Sequence, residues 1–89
     1  MSDYMLVRHK VRDFSQWKSG YKDHLAKRNE AGLTEKFLLH GAKDPNEVVM
    51  LFEANDIKRA EDFAESEDLK ETMRKVGVVD EPNIYFLNG

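Results

Sequence analysis

Four segments of the chain have the hydrophobic pattern of β-strands. Apolar and polar residues alternate from Met5 to Val11 and from Leu33 to His40, which is the period of a half-buried strand. The turn signal Asp44-Pro45-Asn46 and a third segment, Val48 to Glu53, come next, so the second and third segments are predicted to form a hairpin. The last segment, Ile84 to Leu87, is apolar at every position.

The stretch between the first two predicted strands has the period of an α-helix. Asp13, with Gln16 three residues later, resembles a capping box, and Gly32 stands where helices commonly end with a left-handed residue. We therefore expect one helix from Phe14 to Ala31. At 100° per residue, the side chains that share its inward face are Phe14, Trp17, Tyr21, His24, Leu25 and Arg28.

A broken helical region is predicted between the third and fourth strands. Asp56 is placed to cap one short helix, Ser66 is placed to cap another, and Gly77 closes the second. Apolar spacing assigns the inward positions of these helices to Ile57, Ala60, Phe63 and Ala64, and to Leu69, Thr72, Met73 and Val76.

The order strand, helix, strand, strand, helix, strand predicts an α+β fold of the ferredoxin-like βαββαβ type, with an antiparallel sheet. We expect residues 1–89 to form one domain of this kind. Helices cover only one face of such a sheet, yet the segments Val48–Phe52 and Ile84–Leu87 are apolar on both faces. A second copy of the chain is the simplest cover for the other face, so a homodimer through the sheet is expected.

Composition narrows the class of protein. The chain has 89 residues, of which 40% are hydrophobic and 35% charged, and no cysteine, so neither disulfides nor a thiolate metal site are available. The net charge of −3, with both signs mixed, disfavours nucleic acid as a partner. No segment approaches the roughly 20 apolar residues that cross a bilayer, and no secretory leader is evident, so a cytoplasmic protein without a membrane partner is expected.

Two histidines are candidate catalytic bases. His9 lies mid-strand among apolar residues, and His24 lies on the inward face of the first helix, so both can line one cavity. An imidazole that titrates near neutral pH can deprotonate an acidic phenol or enol. Hydrogen-bonded interior histidines are the alternative interpretation. The third, His40, ends its strand and is expected to face solvent, and the three histidines have no metal-ligand spacing, so neither metal nor other cofactor is expected.

Four further side chains are candidates for binding a substrate. Trp17 and Tyr21 are one helical turn apart, where a planar ligand can stack on the indole and accept a hydrogen bond from the phenol, although core packing is the simpler interpretation for Trp17. Arg28 can hold a carboxylate or enolate, or it can pair with a nearby glutamate such as Glu30 or Glu35. Tyr85, in the apolar last strand, is a candidate for the pocket or for the interface.

The chain also resembles a known family. The run VRHKVRDFSQWKSGYKDH, followed by AGL and later by PNEVVMLFE and IYFL, is similar to the dimeric α+β barrel superfamily, and most of all to its small members related to antibiotic-biosynthesis monooxygenases. The resemblance implies two sheets that close into a barrel across a dimer, with ligand pockets between each sheet and its helices. Its implications for chemistry are wide, because the superfamily includes oxygenases without metal or flavin, isomerases, haem-handling enzymes and effector-binding domains.

Two hypotheses follow for the function. The first is a cofactor-independent monooxygenase or isomerase, in which His9 or His24 deprotonates a small aromatic or enolisable substrate while Trp17, Tyr21 and Arg28 hold it. The second is a non-catalytic dimer that binds a small aromatic or acidic molecule or another protein. A cavity on which the histidines and Tyr21 converge would favour the first, and a filled interior the second.

Overall fold

The computed structural model of the protein describes residues 2–89. Four strands form one antiparallel sheet in the order β2-β3-β1-β4, and four helices accompany them. Their bounds are β1 Asp3–Lys10, α1 Phe14–Asp23, α2 Leu25–Glu30, β2 Leu33–His40, β3 Glu47–Ala54, α3 Ile57–Ala64, α4 Glu67–Lys75 and β4 Asn83–Asn88. The predicted α+β, ferredoxin-like fold is confirmed.

The core lies on the helix-covered face of the two central strands. Antiparallel pairing sets Met5 against Phe52, Val7 against Met50 and His9 against Val48. All six residues are buried. Because side chains alternate between the faces of a strand, this register confirms the predicted inward face of β1. The buried apolar residues of the helices in residues 2–89 are Trp17 of α1 and Ala60 of α3.

Helix caps lie where the sequence predicts them. The carboxylate of Asp13 accepts hydrogen bonds from the backbone N–H groups of Ser15 and Gln16, and Asp56 caps α3 in the same way. The Ser66 hydroxyl accepts from the N–H of Leu69 at the start of α4. Gly32 and Gly77 have positive φ angles of 76° and 92°. The left-handed conformation at these two positions favours glycine over any residue with a Cβ.

The first helix differs from its prediction, because it breaks at His24 into α1 and α2. The carbonyl of Tyr21 accepts two hydrogen bonds at the break, from the backbone N–H of His24 and from the Arg28 side chain. The tighter turn at His24 rotates α2 relative to α1. As a result Leu25, which an unbroken helix would turn inward, is 52% exposed, and its predicted inward position is wrong.

The other face of the sheet carries no helix and is strongly apolar. Its exposed hydrophobic side chains are Phe37, Leu39, Tyr85 and Leu87. They share this face because Phe37 and Leu39 pair with Leu51 and Val49, and Tyr85 and Leu87 pair with Leu6 and Tyr4. We call this surface the open face.

Charged residues border the open face at one end. Arg8, which is on the same face of β1, forms ion pairs with Glu47 and Asp80, and the ammonium of Lys10 lies 3.7 Å from a carboxylate oxygen of Asp44. None of the helices in the described part of the chain has the length and apolar character needed to span a membrane.

Candidate active site

A cavity of about 70 Å³ lies between the sheet and the helices. Strands β1 and β3 form its floor, where His9 contributes a polar group. Helix α1 forms one wall, and α3 and α4 contribute apolar side chains opposite. Five of the predicted site residues line this one cavity: His9, Trp17, Tyr21, His24 and Arg28.

His9 is the most deeply buried titratable group of the cavity, with 2% of its surface exposed. Its Nδ1 atom has no hydrogen-bond partner among residues 2–89, and its ring meets the indole of Trp17 edge to face, with centroids 5.5 Å apart. Burial lowers the pKa of His9 below the usual 6.5, because the charged form loses hydration. The imidazole is therefore mainly neutral at neutral pH.

An aromatic column runs along the α1 side of the cavity. The rings of Trp17 and Tyr21 stack with centroids 4.9 Å apart, and the Arg28 guanidinium lies over the Tyr21 ring, 3.7 Å from its centroid. The Tyr21 hydroxyl donates a 2.5 Å hydrogen bond to Glu35. Burial and this bond both raise the pKa of Tyr21, so the phenol stays protonated. Glu35, considered from sequence as a partner of Arg28, instead binds Tyr21.

Arg28 is buried, with 6% of its surface exposed. It donates to the carbonyl of Tyr21 over 2.6 Å, but no carboxylate oxygen of the described residues lies within 4.0 Å of its nitrogens. The predicted pairing with Glu30 or Glu35 is therefore absent from residues 2–89. Burial lowers the pKa of Arg28 from its usual 12.5, yet a guanidinium remains charged in proteins.

His24 lies at the helix break and lines the cavity. Its Nε2 atom is buried, and it lies 3.5 Å from a carboxylate oxygen of Asp68 without the geometry of a hydrogen bond. Its ring stacks on Phe63 of α3, with centroids 5.9 Å apart. His24 therefore connects the break to both α3 and the first turn of α4, where Asp68 lies. The expected exposure of His40 is confirmed.

Tyr85 is the predicted site residue that does not reach the cavity. It pairs with Leu6 on the open face, and 52% of its surface is exposed. In β4 the inward position next to it belongs to Ile84, which lines the cavity. Of the two predicted positions of Tyr85, pocket or interface, it does not occupy the first, because alternation along the strand turns the phenol to the other side of the sheet.

Helix α4 supplies part of the lining that was not predicted as part of a site. Leu69, Thr72 and Met73 face the cavity, and Val76 follows at the end of the helix. Helical spacing predicts that these residues face inward, but it does not distinguish residues that line a cavity from residues that fill a core. Val76 packs against Gly20 of α1 so closely that a Cβ on this glycine would collide with it. Nothing larger than glycine fits at this contact.

The cavity combines a neutral buried base with an apolar wall and one buried cation. Its volume of about 70 Å³ is small for an aromatic ligand, so such a ligand requires its wall to move. Helix α4 is the element best suited to move, because none of its residues is fully buried. The arrangement can desolvate a small planar molecule, accept a proton from it and stabilise negative charge on it.

Solved structures share this fold over nearly the whole chain. A candidate antibiotic biosynthesis monooxygenase from Bordetella bronchiseptica superposes with a TM-score of 0.80 at 14% identity, covering 99% of this chain and 96% of its own. SnoaB, a cofactor-independent oxygenase from Streptomyces nogalater, gives 0.71 at 12% identity, with coverages of 99% and 94%. A candidate monooxygenase of the same kind from Nitrosomonas europaea gives 0.73 at 17% identity, with coverages of 99% and 89%.

These similarities confirm the resemblance to antibiotic-biosynthesis-monooxygenase-like proteins at the level of fold. Sequence identities this low carry no residue roles from those proteins to this chain. No protein-family model matches the chain, and the comparison with curated proteins gives no match. The chemistry of the site must therefore be argued from its own side chains.

Proposed function

We propose that the protein is a cofactor-independent monooxygenase that acts on a small aromatic or enolisable substrate. The observation that carries the proposal is His9: a buried imidazole in a cavity, with an unpartnered Nδ1 and a pKa lowered by burial. An imidazole in this state accepts a proton at neutral pH from an acidic C–H or O–H group. The fold shared with a cofactor-independent oxygenase supports the same reaction class.

The reaction needs no external reductant. His9 takes a proton from an activated CH₂ group, which leaves an enolate that reacts directly with O₂. One oxygen atom remains on the carbon as C=O and the other leaves as water, with both hydrogens of the CH₂ group. The substrate itself is thus the two-electron donor for the second oxygen atom.

The other side chains of the cavity hold the anion and exclude water. Trp17 and Tyr21 present an aromatic wall, and Arg28 supplies a buried positive charge. A cation in a poorly solvated cavity stabilises an enolate more strongly than the same cation in water. His24 is the second candidate base, since its Nε2 is also buried and lacks a hydrogen-bond partner among residues 2–89.

The proposed unit is a homodimer of single-domain chains that associate through the open face. The support is the exposure of Phe37, Leu39, Tyr85 and Leu87 on one side of one sheet. A continuous apolar surface of this kind is rarely left in contact with water. Under this proposal Tyr85 belongs to the interface.

One observation favours a second candidate function, a non-catalytic module that binds a small molecule. The cavity of about 70 Å³ is well below the roughly 300–1,000 Å³ of most ligand pockets. A module of this kind would retain the fold and the dimer but would not consume oxygen. Turnover therefore separates the two functions.

Oxygen uptake tests the proposal directly. Purified protein treated with a metal chelator is mixed with enolisable probes of increasing size, namely acetylacetone, 2-indanone and 9-anthrone, in an oxygen electrode. We expect chelator-resistant uptake with at least one probe, reduced about 10²- to 10⁴-fold in His9→Gln. His40→Gln is the matched control, because it removes an exposed imidazole and should keep full activity.

Two results would contradict the proposal. Uptake that is equal in the wild type and in a folded His9→Gln variant would remove His9 from the reaction. Uptake no faster than in buffer for all three probes, with probe binding retained, would favour the non-catalytic module.

A further inference from the structure

Arg28 is a buried cation whose positive charge is not neutralised by direct contact with a carboxylate. It is 6% exposed, and no carboxylate oxygen of residues 2–89 lies within 4.0 Å of it. Burial of a charge without a counter-ion is unfavourable, and native proteins generally pair or hydrogen-bond such groups. The position of this guanidinium on the cavity wall makes an anion from solution its natural counter-ion.

The contacts that Arg28 does make leave donors free. The guanidinium has five N–H donors, and the hydrogen bond to the Tyr21 carbonyl comes from Nη1. The guanidinium carbon lies over the Tyr21 ring, 3.7 Å from its centroid, a contact that uses none of the N–H donors along the guanidinium edge. A planar edge of this kind matches a carboxylate with two parallel hydrogen bonds.

The carboxylate of Glu35 does not pair with the guanidinium of Arg28. This carboxylate is engaged by the Tyr21 hydroxyl, on an exposed residue of β2. It therefore acts on Arg28 only at longer range, although its field does favour the charged form of the guanidinium. Asp68, the other carboxylate near the cavity, lies beside His24.

We infer that the cavity is an anion site and that the substrate is a carboxylate, held through its carboxyl group by Arg28. The first part stands on the geometry of Arg28 alone. The second part, that the bound anion is the molecule that reacts, rests on the proposed function. The substrate class is then small organic acids rather than enolisable compounds in general.

A binding experiment on the protein tests the site without requiring turnover. Trp17 is the single tryptophan of the chain and lines the cavity, so its fluorescence reports occupancy. Phenylacetate is compared with phenylacetamide, and acetate with acetamide, because each pair has nearly the same shape and differs in charge. We expect at least one acid to bind about tenfold to a hundredfold more tightly than its amide.

Variants then assign the preference to Arg28. Arg28→Gln should abolish the preference for the acid, and Arg28→Lys, which keeps the charge but not the planar edge, should retain part of it. Arg74→Gln is the matched control: it removes the same charge from an exposed position on α4 outside the cavity. Circular dichroism checks that each variant is folded.

Two results with the wild type would overturn the inference. One is equal affinity for the acid and its amide, and the other is a failure of both acids to alter Trp17 fluorescence. A preference that survives in folded Arg28→Gln would overturn it as well. Oxygen uptake with phenylpyruvate, an enolisable acid, against the neutral 2-indanone separates this failure from failure of the proposed function. Uptake with 2-indanone but not with phenylpyruvate would reject the carboxylate while keeping the oxygenase.

Discussion

The indole of Trp17 stacks on the phenol ring of Tyr21, one helical turn later, with the two planes 23° apart. The Arg28 guanidinium lies over the Tyr21 ring, and the His9 ring meets the indole of Trp17 edge to face. A single helix face therefore joins the buried base to the buried cation. The same residues pack the core and form the wall of the cavity, so stability and function depend on them together.

Trp17 should contribute far more to stability than the Tyr21 hydroxyl does. Trp17→Ala removes a fully buried indole and is expected to reduce the free energy of unfolding by about 3–5 kcal/mol. Tyr21→Phe keeps the stack and loses one hydrogen bond to an exposed carboxylate, with an expected cost of less than about 1 kcal/mol. Urea denaturation measures both. A larger effect for Tyr21→Phe would mean that the bond to Glu35, rather than the stack, organises this wall.

Acid should destabilise the protein through His9. Its pKa in the folded state is lowered from 6.5 by burial, so below that pH the unfolded chain binds more protons than the folded one. The stabilising contribution of the neutral imidazole is complete above about pH 6.5 and is lost as the pH falls toward the folded-state pKa. Denaturation curves between pH 8 and pH 5 measure this loss.

The pH dependence can be assigned with two variants. His9→Gln should flatten the fall in stability between pH 8 and pH 5, because glutamine does not titrate. His40→Gln, at an exposed position, should leave the slope as in the wild type. An unchanged slope in folded His9→Gln would show that another group is responsible.

Gly20 and Val76 should be energetically coupled. In an exposed helix alanine is favoured over glycine by about 1 kcal/mol, but here a Cβ would collide with Val76. Gly20→Ala should therefore lower stability by about 1–3 kcal/mol. In the background of Val76→Ala the γ-methyl groups are gone but the Cβ of residue 76 stays 3.0 Å away, so the same change should cost less, and a double-mutant cycle measures the difference. If the effects of the two substitutions on the free energy of unfolding were additive, the end of α4 would move aside freely.

The open face should control the oligomeric state. Tyr85→Glu places a charge on this face and is expected to convert the proposed dimer to a monomer in sedimentation experiments. Leu25→Glu is an equally exposed hydrophobic-to-charged change, since both side chains are 52% exposed, but it lies on a helix away from the open face. It should leave the dimer intact. A wild-type monomer at micromolar concentration would reject this interface.

Much of the fold could be predicted because its signals are local. The caps at Asp13, Asp56 and Ser66 and the positive φ angles of Gly32 and Gly77 depend on single residues and their near neighbours. Alternation along β1 likewise determines its buried face. The strand order then follows from the order of elements.

The break at His24 could not be predicted, because the hydrogen bond that accompanies it joins the Arg28 side chain to the backbone carbonyl of Tyr21. A prediction from periodicity alone continues the helix and places Leu25 inward. Tyr85 illustrates a different limit. A strand that is apolar at every position has no alternation to show which side faces the helices, so the pocket and the open face could not be distinguished.

The central claim is that His9 removes a proton from a carbon acid, and hydrogen–deuterium exchange without oxygen measures that step alone. Under anaerobic conditions in D₂O, nuclear magnetic resonance follows loss of the acidic protons of 2-indanone and of phenylpyruvate. We expect the wild type and His40→Gln to accelerate exchange of at least one probe, and folded His9→Gln to lose about 10²-fold or more of that acceleration. Exchange at the same rate in His9→Gln as in the wild type, or at the buffer rate in all three proteins, would contradict the claim.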